Sequence, residues 1–590
     1  MAFCFLQKLI KTQLFTTFAI EILTESILTK QKQSVKPIIY QLFPRLYTNT
    51  CEKCVADGDI ATNGVGKMNK IDDVVLASIR KLGITHVWYT GVIEHAQATT
   101  YPGIPADNPH VVKGKAGSPY AIKDYYDIDP DIAEDVDNRI GEFKALVERT
   151  HKAGMKVIID FVPNHVARHY HSDAKPEGVS DFGANDDSSK NFTPSNNFYY
   201  IQEPFAPYID LGEGDDRYTE QPAKATGNDC FSAHPNVNDW YETVKLNYGI
   251  NYSNHTWHFS PIPDTWHKMR HIIEYWIGLG VDGFRCDMAF MVPVEFWNWM
   301  IPQVKENHPG VIFIAEIYDQ HIYRQYLFDG HFDYLYDKVN LYDTLRGITC
   351  GFASAALITH CWHVTEGISH RMLNFLENHD EQRIASPQFA GDAIKGIPAL
   401  ILSSTISTGP YMIYAGQELG ERALDAEGFS GQDGRTTIFD YWSVPSVRRW
   451  YSDGACNGKK STKDEKELRK TYSKVLNLCN KEKAICEGEF FDLMYVNYGN
   501  LDASRQFAYL RHTADEVLLV VVNFYHEDVD IKITIPEHAF RCTTLTEGEH
   551  NAKELIHNGK RTFTLEADQP FDISIPANDG VIWKFKIKNK

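Results

Sequence analysis

The sequence predicts a (β/α)8 TIM barrel with an irregular subdomain inserted after its third strand and an antiparallel β-sandwich domain at its C-terminal end. Three observations support this fold class. Strand-like and helix-like segments alternate, as in a parallel α/β sheet. One connection runs over residues 166–262 without helical periodicity, which is too long for a structureless loop. Beyond residue 487 the pattern changes to short alternating runs, which are typical of an all-β domain.

Eight apolar segments have the length and composition of barrel strands. In chain order they are residues 36–47, 84–95, 156–165, 281–289, 311–318, 332–341, 371–380 and 409–419. A typical connection is the helix predicted before strand three, in which Ile140, Phe143, Leu146 and Val147 fall on one face. Gly154 follows it as the expected C-cap.

These patterns divide the chain into four parts. They are an N-terminal extension (1–35), the barrel (36–165 and 263–486), the inserted subdomain (166–262) and the C-terminal β domain (487–590). The extension is mildly apolar, but charged residues interrupt it and no A-x-A motif follows, so it does not predict a secretory signal peptide. The longest uncharged stretch, 396–417, contains two prolines and does not predict a membrane span.

Composition narrows the classes of partner and compartment. The formal charge of −19 argues against nucleic acid or an anionic membrane as the partner. The 11 cysteines are odd in number and have no disulfide-like spacing, which favours free thiols in a reducing compartment such as the cytoplasm. A periplasmic or secreted location stays open, and the sequence predicts no oligomeric state.

Three acids follow apolar strand segments, and this is the strongest functional signal in the chain. Asp287, Glu316 and Asp380 are predicted at the ends of strands four, five and seven. The carboxyl ends of barrel strands meet on one face, where catalytic residues gather. A single acid there could be a salt-bridge partner or a helix N-cap, but three acids together would be costly unless they do chemistry.

The neighbours of the three acids suggest glycosidic bond cleavage, which needs a proton donor and a carboxylate facing the sugar carbon. Arg285 lies two positions before Asp287, on the same side of the strand, and favours the charged form that a nucleophile needs. Apolar residues flank Glu316 and favour the neutral form that suits a general acid. Asp380 follows His379 and is expected to hold substrate hydroxyls.

Four motifs in order resemble the signature regions of the α-amylase family, glycoside hydrolase family 13. They are "DFVPNH" (160–165), "GFRCD" (283–287), "AE" (315–316) and "ENHD" (377–380). The resemblance implies a retaining mechanism in which Asp287 is the nucleophile, Glu316 is the general acid/base and Asp380 stabilises the transition state.

The same resemblance implies the residues that hold the attacked sugar. His165, Arg285 and His379 are expected to line that subsite. The segment "GSPYAIKDYYDIDP" (117–130) is similar to a further family stretch, and the match makes Tyr120 the aromatic platform under the sugar. Alone, each histidine or tyrosine could equally be a packing residue.

This chain also departs from the family pattern. Ala121 stands where many exo-acting members have an acid, which favours an open cleft and an endo-acting enzyme. Phe290 and Met291 replace a usual Lys-His pair, so contacts beyond the cut point are altered. Asn164 matches a residue that commonly binds calcium, whereas Lys67 stands where an acid is expected in a second calcium loop. Calcium at Asn164 is therefore the expected cofactor, and no organic cofactor is expected.

Three functions remain open from the sequence. The favoured one is an endo-acting α-amylase that cleaves α-1,4-glucosidic bonds in starch, glycogen or maltooligosaccharides. The alternative is a cyclomaltodextrinase, neopullulanase or 4-α-glucanotransferase of the same family, because these would share the three acids. A remote alternative is a non-catalytic sugar-binding or partner subunit.

Overall fold

The computed structural model describes residues 35–429 and 431–586. The first 34 residues of the predicted extension, with Cys4, lie outside the described residues. The barrel strands are β1 (Ile38–Leu42), β2 (His86–Tyr89), β3 (Lys156–Phe161), β4 (Gly283–Cys286), β5 (Ile312–Ala315), β6 (Tyr334–Tyr336), β7 (Met372–Phe375) and β8 (Tyr411–Tyr414). They close in the order β1-β8-β7-β6-β5-β4-β3-β2, and every neighbouring pair is parallel.

Helices connect the strands on the outside of the barrel. They are α1 (Asp73–Arg80), α2 (Arg139–Lys152), α3 (Asp264–Gly278), α4 (Val294–Asn307), α5 (Tyr323–Phe328), α6 (Asp343–Thr349), α7 (Leu357–Val364), α8 (Ile397–Thr405), α9 (Pro445–Tyr451) and α10 (Lys463–Lys481). Short helical turns add Pro44–Tyr47, Ile60–Asn63, Lys483–Cys486, Met494–Asn497 and Glu537–Cys542. In α2, Phe143, Leu146 and Val147 are buried as predicted, and Gly154 follows with φ +77°, a conformation that suits glycine at a C-cap.

The strands are shorter than the apolar segments that predicted them. The first ends at Leu42 because Pro44 begins a helical turn, a position that proline favours. The second segment splits, and Ile93–His95 pairs with a separate strand, Ile122–Ile128. Strand β7 ends at Phe375, so Asp380 lies in a loop five residues further on rather than at the strand end.

The inserted residues 166–262 contain only short pieces of regular structure, as expected. Strand His165–Ala167 pairs with Thr243–Lys245. Two further short antiparallel pairs are Tyr200–Ile201 with Ala223–Lys224 and Ile250–Asn251 with Thr256–Trp257. Within this stretch, which the structure describes in full, there is no α-helix. Its aromatic side chains pack among themselves, for example Phe205 against Tyr218.

The C-terminal region is all-β, and the predicted combination of barrel and β domain is confirmed. Its strands are β9 (Glu489–Asp492), β10 (Gln506–His512), β11 (Val517–Asn523), β12 (Val529–Thr534), β13 (Gly548–Glu554), β14 (Lys560–Leu565), β15 (Pro570–Ile575) and β16 (Asp579–Phe585). They form a six-stranded antiparallel sheet, β9-β10-β11-β16-β13-β14, and a two-stranded sheet, β12-β15. All residues of β11 are buried, and the sheet contacts helix α8 of the barrel.

Among the described residues, no helix is both long and apolar enough to cross a membrane.

Candidate active site

A cavity of about 590 Å³ opens beyond the carboxyl ends of the barrel strands. It brings together six of the residues that the sequence singled out: Tyr120, His165, Asp287, Glu316, His379 and Asp380. Its size and mixed polar and aromatic lining are those of a small-molecule site. Asp287 and Glu316 form the floor of the cavity. Arg285 lies just beneath this floor, and its side chain is 1% exposed.

The Arg285 guanidinium joins the acids of the floor. One of its nitrogens lies 2.6 Å from Asp287 Oδ1, and the other lies 2.5 Å from Glu316 Oε1. Asp160, on strand β3, lies 3.5 Å from the same guanidinium because Arg285 and Asp160 are register partners on neighbouring strands. One buried cation therefore positions three buried carboxyl groups.

The protonation of Asp287 differs from the prediction that Arg285 keeps it charged. Burial raises the pKa of Asp287 well above its usual value, and contact with Arg285 offsets that only in part. Burial also raises the pKa of Asp160, to about 6. Burial therefore disfavours the charged forms of Asp287 and Asp160, although the Arg285 guanidinium favours them.

The Glu316 carboxyl group also differs from prediction, because its own contacts are polar. The Tyr318 hydroxyl donates to Oε1 at 2.5 Å, and the Met288 backbone N–H donates to Oε2 at 2.8 Å. The apolar neighbours Ala315 and Ile317 are buried. The roles of Asp287 and Glu316 are therefore not separated by one polar and one apolar environment, since both acids bind the same guanidinium.

His379 connects the two sides of the cavity. The Gln41 side-chain amide lies 2.8 Å from His379 Nδ1, and Nε2 faces the Tyr120 hydroxyl and Asp380, whose carboxylate is 3.2 Å away. The Tyr120 and His379 rings are stacked, with centroids 5.2 Å apart. With Gln41 donating to Nδ1, the neutral ring carries its proton on Nε2, toward the cavity. Asp380, with 41% of its side chain exposed, is the most accessible of the three predicted acids.

We expect His379→Gln to flatten the pH dependence of stability. Burial, and after it the charge of Arg285, lowers the pKa of His379 to about 3, whereas an unfolded histidine titrates near about 6.5. Between these values only the unfolded chain binds the proton, so stability is present above the unfolded pKa and is lost as the pH falls. The loss amounts to about 1.4 kcal/mol per pH unit.

Melting temperatures at pH 7, 6 and 5 measure this effect. The wild type should lose melting temperature more steeply than His379→Gln. His360→Gln, at an exposed position, should follow the wild type. Parallel curves for His379→Gln and wild type would refute the expectation.

The surroundings of Asn164 do not fit the predicted calcium ion. Its side-chain oxygen accepts a short hydrogen bond from the Lys245 ammonium. The same ammonium lies 2.7 Å from Asp229 Oδ1 and 3.2 Å from the Met291 carbonyl oxygen. Calcium takes six to eight oxygen ligands, and the oxygens here already bind a cationic side chain.

A separate group of acids is a second candidate cation site, in which Asp127 also pairs with Arg139. Carboxylate oxygens of Glu94, Asp124, Asp127 and Asp173 lie within 4.8 Å of one another. One oxygen of Glu94 is buried without a hydrogen-bond partner in the described part of the chain. Glu94 and Asp124 face each other across paired strands, while Asp173 comes from the insertion. Carboxylate groups of this kind suit a hard divalent cation.

Several residues of the site were not predicted. Asp160 and Tyr318 touch the floor, and Trp240 lines the cavity beside His165, their rings 5.3 Å apart. Asp160 carries the same signal as the predicted acids, because it interrupts the apolar run "VIIDF". Trp240 lies in the irregular insertion, where no periodic pattern points to its orientation.

Two loops meet at one side of the cavity. The Ala116 backbone N–H donates to the Phe439 carbonyl at 3.0 Å, and the buried Arg45 donates to the carbonyls of both Ala116 and Ile438 at 2.8 and 2.5 Å. At Gly114 a Cβ would come within 2.2 Å of the Phe439 oxygen, so only glycine permits this approach. Ile438 and Phe439 line the cavity, so the joined loops form part of its wall.

Comparisons with known proteins identify the family of this chain. The family model described as "Alpha amylase, catalytic domain" matches residues 41–488, and "Alpha amylase, C-terminal all-beta domain" matches residues 499–586. The chain is 22% identical over 514 residues to Alpha-amylase 3 of Dictyoglomus thermophilum, covering 82% of this chain and 84% of the relative. It is 24% identical over 499 residues to a cyclomaltodextrinase of a Bacillus species, covering 82% and 72%.

Among solved structures, the fold is similar to that of a noncanonic maltogenic alpha-amylase from Thermotoga neapolitana. The TM-score is 0.61 at 20% sequence identity, and the match covers 94% of this chain and all of the other. At this identity the likeness concerns the fold.

Proposed function

This chain belongs to the α-amylase family and is a glycoside hydrolase, and from that premise we propose that it cleaves α-1,4-glucosidic bonds with retention of configuration. The observation that carries the proposal is the Arg285 guanidinium, which holds Asp287 and Glu316 at the cavity floor at 2.6 and 2.5 Å. Retaining enzymes need their two carboxyl groups close together, without the gap that an inverting enzyme leaves for water. A single guanidinium that binds both acids supports that arrangement.

In the proposed reaction, Asp287 attacks the anomeric carbon while Glu316 gives its proton to the leaving glycosidic oxygen. The bond from carbon to the leaving sugar breaks as the bond to the Asp287 carboxylate forms. Water then enters, gives its proton to Glu316 and displaces Asp287, which restores both acids. The reaction needs one ionised and one protonated carboxyl group, and Arg285 stabilises the ionised Asp287 and keeps both side chains in place.

The neutral side chains around the floor are proposed to hold the attacked sugar. Tyr120 presents its ring as a platform, stacked on His379. His379 directs its Nε2 proton into the cavity, beside Asp380, which accepts from sugar hydroxyls. Burial, and after it Lys245, lowers the pKa of His165 to about 3, so His165 contacts the sugar as a neutral ring.

Starch, glycogen and maltooligosaccharides are the proposed substrates, with internal bonds cleaved. Ala121 supports the endo-acting mode, because it is fully buried in a small cluster with Ala96, Val112 and Ala167. It therefore places no acid in the cavity that would block the end of a chain.

The wall beside the cavity favours the second candidate, a cyclomaltodextrinase or related enzyme that acts on short or cyclic glucans. The hydrogen bond between Ala116 and Phe439 at 3.0 Å joins the two loops there, which leaves less room for a long glucan on that side. A compact substrate fits such a site without extending past the wall.

We expect a product time course on starch, pullulan and cyclomaltodextrin to separate the two candidates. Endo-acting hydrolysis of starch should lower viscosity early and release oligosaccharides of mixed length. Faster hydrolysis of cyclomaltodextrin than of starch would instead establish the second candidate. No hydrolysis of any of the three by well-folded protein would overturn the proposed function.

Calcium, as the proposed cofactor, is assigned to the four-acid group of Glu94, Asp124, Asp127 and Asp173 rather than to Asn164. The support is the clustering of their oxygens and the unpartnered oxygen of Glu94. The proposed catalytic steps do not run through this ion.

A reducing compartment such as the cytoplasm is the proposed location. Several cysteines of the described part of the chain, such as Cys51, Cys286 and Cys361, are free thiols. Free thiols persist where glutathione and thioredoxin keep them reduced.

A further inference from the structure

We propose that the Lys245 ammonium is a built-in cation that fastens the insertion to the active-site floor, in the place where a metal ion was expected. The side chain is 2% exposed and ends among oxygens of Asn164, Asp229 and Met291. These come from the end of strand β3, from the insertion and from the turn after Asp287. The ammonium therefore joins three separate segments around the cavity.

The number and charge of the partners suit an ammonium group. Lysine has three N–H donors, and three oxygens surround it: the Asn164 amide, the Asp229 carboxylate at 2.7 Å and the Met291 carbonyl at 3.2 Å. Only Asp229 is charged, so a single positive charge balances the site. With the ammonium in place, all three oxygens are already occupied; without it, they would supply half of the ligands of a calcium ion and water would have to supply the rest.

Strand pairing places Lys245 there. Residues 243–245 pair antiparallel with 165–167, and Lys245 is the register partner of His165. The Leu246 backbone N–H donates to the Asn164 carbonyl at 3.0 Å, which brings the two neighbouring side chains together. The backbone pairing thus determines the position of Lys245 independently of the contacts of its ammonium group.

The contacts lead from Lys245 to the acids of the floor. Met291 ends a short helical turn that begins just after Met288, and the Met288 N–H donates to Glu316 at 2.8 Å. Asn164 directly precedes His165 and lies 3.1 Å from its ring nitrogen. Lys245 is therefore a positioning residue, which acts on Glu316 and His165 through the segments it holds.

A second lysine also lies where a calcium ligand was expected. Lys67, which stands where an acid was expected, donates to the carbonyls of Asp131 and Ala133 at 2.6 and 2.8 Å. Two loops that resemble calcium loops thus each contain a lysine ammonium bound to oxygens. This parallel comes from a different part of the chain and supports the assignment for Lys245.

Two variants of Lys245 test the proposal. Lys245→Met removes the ammonium but keeps the bulk of the stem, whereas Lys245→Ala also opens space for an ion. Both should lower the melting temperature by about 3–8 °C and reduce kcat by about tenfold. When the four-acid group is disabled by Asp173→Asn, millimolar CaCl2 should raise the melting temperature of Lys245→Ala alone, and EDTA should reverse that gain. Lys190→Met, at an exposed lysine of the same insertion, should behave like the wild type.

The four-acid group is removed from the comparison by making each protein in an Asp173→Asn background. In that background, calcium content measured by mass spectrometry should be near zero with Lys245 present, and should rise toward one ion per chain with Lys245→Ala. The proposal is overturned if Lys245→Met melts like the wild type, or if calcium fails to raise the melting temperature of Lys245→Ala. It is also overturned if the Asp173→Asn protein with Lys245 intact holds a calcium ion that Asn164→Ala removes.

Discussion

Asp287→Asn should lower kcat on starch by about four orders of magnitude or more. An amide in place of the carboxylate cannot form the covalent bond to the sugar, although it can still accept the hydrogen bond that Arg285 makes at 2.6 Å. The substitution removes one of three acids around Arg285. Burial disfavours the charged form of this acid, since it raises the pKa of Asp287. The melting temperature should therefore stay level or rise, so the lost activity cannot be ascribed to unfolding.

Asp282→Asn is the matched control for this prediction. Asp282 precedes the other end of strand β4, where it accepts from the Val157 backbone N–H, and it does not line the cavity. Its substitution should leave kcat within about twofold of wild type. Activity of Asp287→Asn within about tenfold of wild type would show that the proposed nucleophile is wrong.

Glu316→Gln should lose about three orders of magnitude in kcat on maltooligosaccharides but far less on α-maltosyl fluoride. A sugar alkoxide leaves poorly unless an acid protonates it, whereas fluoride leaves without that proton. The glutamine side chain is close in size to glutamate, but its single oxygen can accept either from Tyr318 and Arg285 or from the Met288 N–H, not from both. Steady-state rates on both substrates measure the difference.

Asp287→Asn provides the contrast for the second prediction. Without a nucleophile, both substrates should lose activity to a similar degree, because each needs the same attack on carbon. An equal loss on both substrates for Glu316→Gln would remove Glu316 from the role of general acid.

Short-range patterns were enough to predict most of the barrel and its acids. Apolar runs identified all eight strands, and acids that follow them identified Asp287 and Glu316 directly after β4 and β5. The strand ends were harder to locate. Near Asp380, the Asn378 side chain accepts from the backbone N–H groups of Asp380 and Glu381 at 2.9 and 3.0 Å. This turn continues beyond the strand, and an apolar run followed by polar residues does not reveal it.

Contacts between distant segments could not be predicted in this way. Lys245 reaches Asn164 across 81 positions, through a pairing within an insertion that has no periodic pattern. The environment of Glu316 was predicted from its sequence neighbours Ala315 and Ile317, which are buried, but its carboxyl group makes its contacts with Tyr318, Met288 and Arg285. Its partner Arg285 comes from the neighbouring strand β4, where it is the register partner of Ile314, two residues before Glu316.

The closure of the barrel also determines when this protein becomes active during its synthesis. Gln41 on the first strand contacts His379, which is made 338 residues later, and β1 completes its hydrogen bonding only with β8. A ribosome releases the chain from its N-terminal end, so a nascent chain already carries Asp287 and Glu316 while the subsite around His379 does not yet exist. We therefore expect the growing polypeptide to hydrolyse no glucan until its eighth strand has emerged.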